Sequence, residues 1–321
     1  MRLLCQCHPI DSPIPNNQSG TMNESILMDD GPNNLGTVLG TVLDTATAAS
    51  ANWRIEDIDF TAVNEQMQVT DPVMLWLATA ASFIESASDI YTENLVEYFS
   101  ADAEISSWLA SQWEPEELQH GKALRTYVEA AWPEFDWEAA FKGFLVDYSK
   151  LCSVEVLGPT LTLELASRCV IETGTSTLYR AMRDATDDPA LRNVADNIQR
   201  DEVRHFKYFF NFFRRYNEAG GTNRWAISKM LFARVREIRD SDTICALSHI
   251  PDGCLGQTGA DNIPDAVTIH RMITARLRPH YPLDAAAKML LAPLALPATA
   301  RNFASGVISA AARTSVAWSL R

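Results

Sequence analysis

A chain of 321 residues, 47% hydrophobic and 21% charged, is long enough to bury a sizeable core in one large domain or two, and its composition excludes collagen, a coiled coil or wholesale disorder. The net charge of −14 is lopsided: residues 1–199 carry 10 basic against 31 acidic side chains, a balance of −21, and residues 200–321 carry 17 against 10, a balance of +7. This excludes a chain-wide affinity for nucleic acid, while Arg214, Arg215, Arg224, Lys229, Arg234, Arg236 and Arg239 form either a solvated helix face or a seat for an acidic partner.

Residues 1–48 are rich in Asn, Ser, Thr, Gly, Pro and Asp without apolar period, and predict a disordered tail, with Met22 or Met28 as alternative starts. The first apolar run is too short for a signal peptide, so the expected location is cytoplasmic. Cys5, Cys7 and His8 match no structural zinc spacing. The six cysteines, with Cys152, Cys169, Cys245 and Cys254, include no Cys-x-x-Cys pair and read as reduced. From about residue 71, helix-compatible segments run over roughly 72–99, 103–131, 136–152, 159–185, 188–217 and 223–248. Gly253, Gly256 and Gly259 mark a loop, and further helical segments lie near 263–279 and 283–320. Strand-like alternation is almost absent. The expectation is an all-α protein: a helical bundle over 49–250 and a helical extension over 251–321 packed upon it. No run of 18 apolar residues occurs, the best being broken by Pro293, Pro297 and Arg301, so no membrane span is expected.

Ionisable residues fall where this helical pattern buries apolar ones. At 100° per residue, Leu191, Ile198, Phe209 and Tyr216 define one stripe, and Glu202 and His205 lie within roughly 40° of its centre. A second Glu-x-x-His, Glu117 and His120, lies on the stripe of Leu109, Trp113, Leu124 and Tyr127. A buried carboxylate without a partner costs several kcal/mol, and i, i+3 spacing lets a carboxylate oxygen and an imidazole nitrogen reach one ion. Two more helices can each add a carboxylate. Glu172 falls on the stripe of Leu161, Leu165, Tyr179 and Met182, with Glu164 nearer its edge as the alternative. Among Glu85, Asp89, Glu93 and Glu97, Glu85 is at the edge of the stripe through Val73, Leu77, Ala81, Ile84, Tyr91 and Leu95. Asp89 is the fallback, and Glu93 and Glu97 point away.

The set repeats: Glu85 then Glu117-x-x-His120, and Glu172 then Glu202-x-x-His205. The intervals are 32 and 30 residues within the halves, and 87 and 85 between equivalent positions. Four carboxylates and two imidazoles suit iron or manganese, and four negative charges balance two divalent ions. Asp201 and Glu116, each preceding a ligand Glu, are candidates to accept the outer N–H of a ligand histidine from the opposite half, with helix-surface charge as the alternative. Thr175 is a candidate to steer protons, or else bonds back to its own helix. Trp113, one turn before Glu117, is expected beside the ligands.

These motifs resemble the ferritin-like di-iron carboxylate superfamily, and within it the soluble acyl-carrier-protein desaturases, over about residues 50 to 217. "EELQHG" is similar to that family's second-helix motif, "DEVRH" to its last metal helix, and Glu172-Thr-Gly-Thr175 to a ligand Glu followed by the threonine beside the oxygen site. Tyr91, six residues after Glu85, also matches, and "NWRIED" around Trp53 resembles the tryptophan segment used in electron delivery. The resemblance implies a ferritin-like four-helix bundle, two iron ions, O2 as co-substrate and a ferredoxin-type electron donor. It further implies a homodimer that desaturates or hydroxylates an acyl chain carried by acyl carrier protein. Hydroxylation or N-oxygenation of a small metabolite is the alternative. An iron-storage ferroxidase is the lesser one, because storage ferritins are minimal bundles.

Overall fold

A computed structural model describes residues 53–152, 157–237, 242–254 and 263–318, and every regular element among them is helical. The tail expected over 1–48, the Cys5, Cys7 and His8 group, Gly256, Gly259 and Arg239 lie outside the described residues.

In chain order the main helices are α1 (Pro72–Ser86), α2 (Ser88–Tyr98), α3 (Ala103–Trp108), α4 (Glu114–Ala131), α5 (Trp137–Tyr148), α6 (Leu161–Ala185) and α7 (Pro189–Gly220). After them come α8 (Arg224–Glu237), α9 (Asp242–Ser248), α10 (Ala266–Leu277), α11 (Leu283–Leu291) and α12 (Ala298–Trp318). Local sequence explains where they begin. Asp71 caps α1 through Met74 N–H with Pro72 in the first turn, and Thr160 caps α6 through Leu163 N–H. Asp188 caps α7 through the N–H groups of Ala190 and Leu191, with Pro189 next. A short polar side chain thus accepts from otherwise orphaned donors, and proline stands where its missing N–H costs nothing. The end of α7 is set by Gly221, at φ 63°, whose N–H reaches Asn217 O.

Three expected elements are more broken than their periodicity implies. The segment 72–99 divides at Ala87 (φ −103°, ψ 13°), immediately after Glu85 and Ser86. The segment 103–131 contains a π-helical turn at Leu109–Trp113, just ahead of Glu117; such bulges re-aim side chains and recur at functional sites. The segment 283–320 stops in a 3-10 turn, Ala292–Leu294, with Ala295 at φ 46°, because Pro293 and Pro297 cannot continue α11.

α1 packs along α4 and α6 along α7, and α4 joins the two pairs through α7. Their apolar residues form two separate cores. One holds Met74–Phe83 positions of α1, Ala123–Ala131 of α4, Tyr179–Ala185 of α6 and Ala190–Ile198 of α7. The other holds Leu109 and Trp113, Leu165–Val170 of α6 and Phe206–Phe213 of α7. The order in which each helix meets the two cores makes α1 antiparallel to α4 and α6 antiparallel to α7, with α4 and α6 running the same way. The long connection containing α5 permits that parallel pair. On α4, α6 and α7 the gap between the cores falls at Glu117 and His120, at Glu172, and at Glu202 and His205, and Glu85 closes α1 at the same level. The extension packs back on this bundle: α10 against α1 and α6, and α11 against α6. By length and composition Pro72–Tyr98 could cross a membrane, but 72% of its most apolar window is buried inside the protein.

Gly121 brings α4 onto α1 at this level. A Cβ there would lie 2.5 Å from Ser86 Oγ and 2.6 Å from Ser86 N, so any side chain must push back the main chain beside Glu85. Gly121→Val should cost about 3 kcal/mol or more by overpacking, read as a drop in Tm. An unchanged Tm would refute the close approach.

Candidate metal centre

The six residues singled out by the repeat meet. Glu85, Glu117, His120 and Glu202 form one group, and Glu117, Glu172, Glu202 and His205 a second; within each group one donor atom per residue lies within 4.8 Å of the others. Glu117 and Glu202 belong to both groups. All six side chains are buried.

The imidazoles have the same arrangement in both halves. His120 turns Nδ1 inward, 3.3 Å from Glu202 Oε1, 3.5 Å from Glu117 Oε2 and 3.9 Å from Glu85 Oε2. His205 Nδ1 lies 3.0 Å from Glu117 Oε1 and 3.8 Å from Glu172 Oε2. The opposite nitrogens reach outward: His120 Nε2 is 3.1 Å from Asp201 Oδ2, and His205 Nε2 is 2.7 Å from Glu116 Oε2. Each outer carboxylate comes from the opposite half, as the sequence positions suggested. A neutral imidazole donating through Nε2 directs its Nδ1 lone pair into the carboxylate cluster.

A divalent ion fits this donor set. His120 Nδ1, His205 Nδ1 and Glu202 Oε1 are buried with no hydrogen-bond partner, at the centre of four acids. Buried polar atoms without partners are costly, and an ion among them would satisfy all three and offset the acidic charge.

Without an ion, protons must do this. Burial, then the charges of Glu117 and Glu202, push the Glu85 carboxyl well above the usual range. Burial, then Glu202 and Glu117, does the same to Glu172. Burial opposes charge on His205, but the Glu116 carboxylate bonded to its Nε2 and the Glu117 carboxylate beside its Nδ1 outweigh it and push the imidazole up to about 9. His120 is likewise raised by Asp201, Glu117 and Glu202 against its own burial. Burial also opposes ionisation of Glu117, yet the two imidazoles facing it, with Nδ1 3.5 and 3.0 Å from its oxygens, hold it well below the usual range. Asp201, buried but bonded to His120, is held at about 2.

Neighbouring residues complete the site. Thr175 Oγ1 donates to Glu202 Oε2 at 2.5 Å and also lies 3.3 Å from the carbonyls of Ile171 and Glu172, so it touches a donor of the centre as well as its own helix. Trp113, ending the π turn, stands edge-on to His205 with ring centres 6.3 Å apart. Trp53 Nε1 donates to Asp201 Oδ2 at 2.8 Å, and its ring is nearly parallel to that of His120. Tyr91 lies over the Arg168 guanidinium, 4.6 Å from its ring centre. Of the residues set aside, Asp89, Glu93 and Glu97 are exposed, and Glu164 is fully buried but paired with Arg168 at 2.7 Å.

Two participants were not anticipated. Arg204 spans both outer carboxylates, with Nη1 2.8 Å from Asp201 Oδ1 and Nη2 2.8 Å from Glu116 Oε2. Its signal was its place in "DEVRH", between Asp201 and His205. Tyr179, counted as a member of the apolar stripe, donates its phenol hydrogen to Glu85 Oε1. A buried tyrosine needs a partner, and only that general rule could have marked it.

Fold and site together define an all-helical protein with a buried carboxylate–histidine centre able to hold metal ions. No protein-family model matches the chain, and no curated protein matches it.

Proposed function

We propose that this protein is an oxygen-dependent di-iron oxidoreductase with a ferritin-like bundle, which desaturates or hydroxylates an acyl chain presented by acyl carrier protein. The observation that carries the proposal is the pair of donor groups sharing Glu117 and Glu202, each completed by one histidine and one further carboxylate. That is a two-ion arrangement of hard and borderline ligands, suited to iron or manganese. The single long connection between α4 and α6 accords with the ferritin-like plan. The carrier-linked acyl substrate comes from the family resemblance.

Glu85, Glu117, His120, Glu172, Glu202 and His205 would hold the ions, which supply oxygen activation and hydrogen abstraction from an unactivated C–H bond. Asp201, Glu116 and Arg204 keep the imidazoles in one orientation, so that Nδ1 faces inward. Thr175 holds a proton on the line to Glu202 Oε2. The aromatic rings of Trp108 and Trp113, with centres 4.9 and 6.0 Å from that of Phe209 at the His205 side, exclude water. Trp53, joined through Asp201 to His120, offers a route for electrons from a ferredoxin-type donor.

Anaerobic reconstitution with ferrous iron, then O2 and reductant with acyl-carrier-protein substrates, tests the reading. About two irons per chain, with products lacking two hydrogens or bearing one added oxygen by mass spectrometry, is the expected result. Well under one iron per chain would overturn the di-iron reading. Two irons with turnover only of free small metabolites would keep the centre and replace the substrate.

A further inference from the structure

The two halves of the centre differ in how their terminal carboxylates are held. Glu172 lies in the middle of α6, whereas Glu85 is the penultimate residue of α1, beside the break at Ala87. Glu85 is also the more exposed of the pair, 7% against 1%. A side chain on a helix end has less backbone restraint. Tyr179, itself 1% exposed and projecting from α6, donates to Glu85 Oε1, while Glu85 Oε2 is the oxygen facing His120 Nδ1 at 3.9 Å. The phenol therefore occupies one carboxylate oxygen and presents the other to the donor cluster. The position equivalent to Tyr179 in the first half, 87 residues earlier, is Thr92, whose hydroxyl bonds to Ser88 O within its own helix. Nothing equivalent is thereby delivered to Glu172 from α2.

We propose that Tyr179 is a positioning residue for one ion only: it fixes Glu85 so that Oε2 completes the position bounded by Glu85 and His120, and the position bounded by Glu172 and His205 does not depend on it. This rests on the two-ion reading of the centre. Removing the phenol oxygen should weaken binding at one position while sparing the other, which a merely space-filling tyrosine would not do.

The test is anaerobic titration of the metal-free full chain with cobalt(II), monitored by visible absorption and calorimetry, for the wild type and Tyr179→Phe. The wild type should take up two ions tightly. In Tyr179→Phe one ion should bind tightly as before and the other about tenfold more weakly or worse, the scale on which partners of metal ligands act. Identical titrations of the two proteins, or loss of both ions together, would overturn the inference while leaving the two-ion centre standing. A wild type that binds fewer than two ions would instead overturn the centre. Circular dichroism verifies that Tyr179→Phe folds. If it does not, 3,5-difluorotyrosine at position 179 keeps the shape and changes the donor strength of the phenol. One binding step should then shift while the other stays in place; an unmoved pair of steps would refute the role.

Discussion

Alanine at Glu117 or Glu202 is expected to empty the whole centre, whereas alanine at Glu85 or Glu172 should remove one ion of two. The difference comes from membership: Glu117 and Glu202 contribute an oxygen to both donor groups, and Glu85 and Glu172 to one each. Losing a shared carboxylate takes a ligand and a negative charge from both positions at once, so affinity should fall by well over the roughly hundredfold seen for outer partners of metal ligands. The metal-free variants should remain folded, because removing one of four crowded acids relieves the repulsion that raises Glu85 and Glu172. What should vanish is stabilisation by the ion, which in a binding protein grows as RT ln(1 + [L]/Kd). Metal analysis and Tm with and without cobalt(II) read both effects. Glu164→Gln provides the contrast: it breaks a buried ion pair with Arg168, costing about 3–5 kcal/mol, and leaves both ions bound. Retention of one tight ion in Glu117→Ala or Glu202→Ala would refute the sharing.

The helical class and the six inward-facing donors were legible because both rest on one periodicity, in which a buried acid or imidazole on an apolar stripe is conspicuous. Glu85 was harder to choose than Glu172 because it lies at the edge of its stripe. The structure supplies a reason: α1 ends one residue later, so the ideal 100° rotation does not carry through to Tyr91 and Leu95 in α2. That break lies in Ser-Ala-Ser, which contains neither proline nor glycine, and it falls where Gly121 of α4 comes against Ser86, a neighbour distant in sequence. The interruption before α12 was marked by Pro293 and Pro297 in the chain itself. Arg204 and Tyr179 escaped for opposite reasons. An arginine three residues after an aspartate reads as a surface pair, although its second contact comes from α4. A tyrosine on an apolar stripe reads as core, although its hydroxyl reaches α1. In both cases the deciding partner is distant in sequence.

The stability of the metal-free and metal-loaded protein should diverge as pH rises. In the metal-free protein Glu85, Glu172, His120 and His205 are all raised above their ordinary values, so they bind protons more tightly folded than unfolded. The stabilisation from such a group is complete below its unfolded pKa and is lost as pH climbs through the folded one. For His205 that window runs from the ordinary value, about 6.5, to about 9. Glu117, Glu116 and Asp201 act in the opposite direction: their contribution is present above the ordinary carboxylate range and is lost only in acid, for Asp201 as pH falls through about 2. Between pH 6.5 and 9 the metal-free protein should therefore become less stable. A divalent ion needs the same four groups without their protons, so each proton it displaces tightens binding about tenfold per pH unit, or about 1.4 kcal/mol. The gap in Tm between cobalt-loaded and metal-free protein should widen steadily from pH 6 toward pH 8, and titration in weak buffer should release protons as metal enters. A gap that stays constant or narrows over that range would mean that the ion does not take the place of these protons, and would separate the metal site from the buried Glu and His cluster.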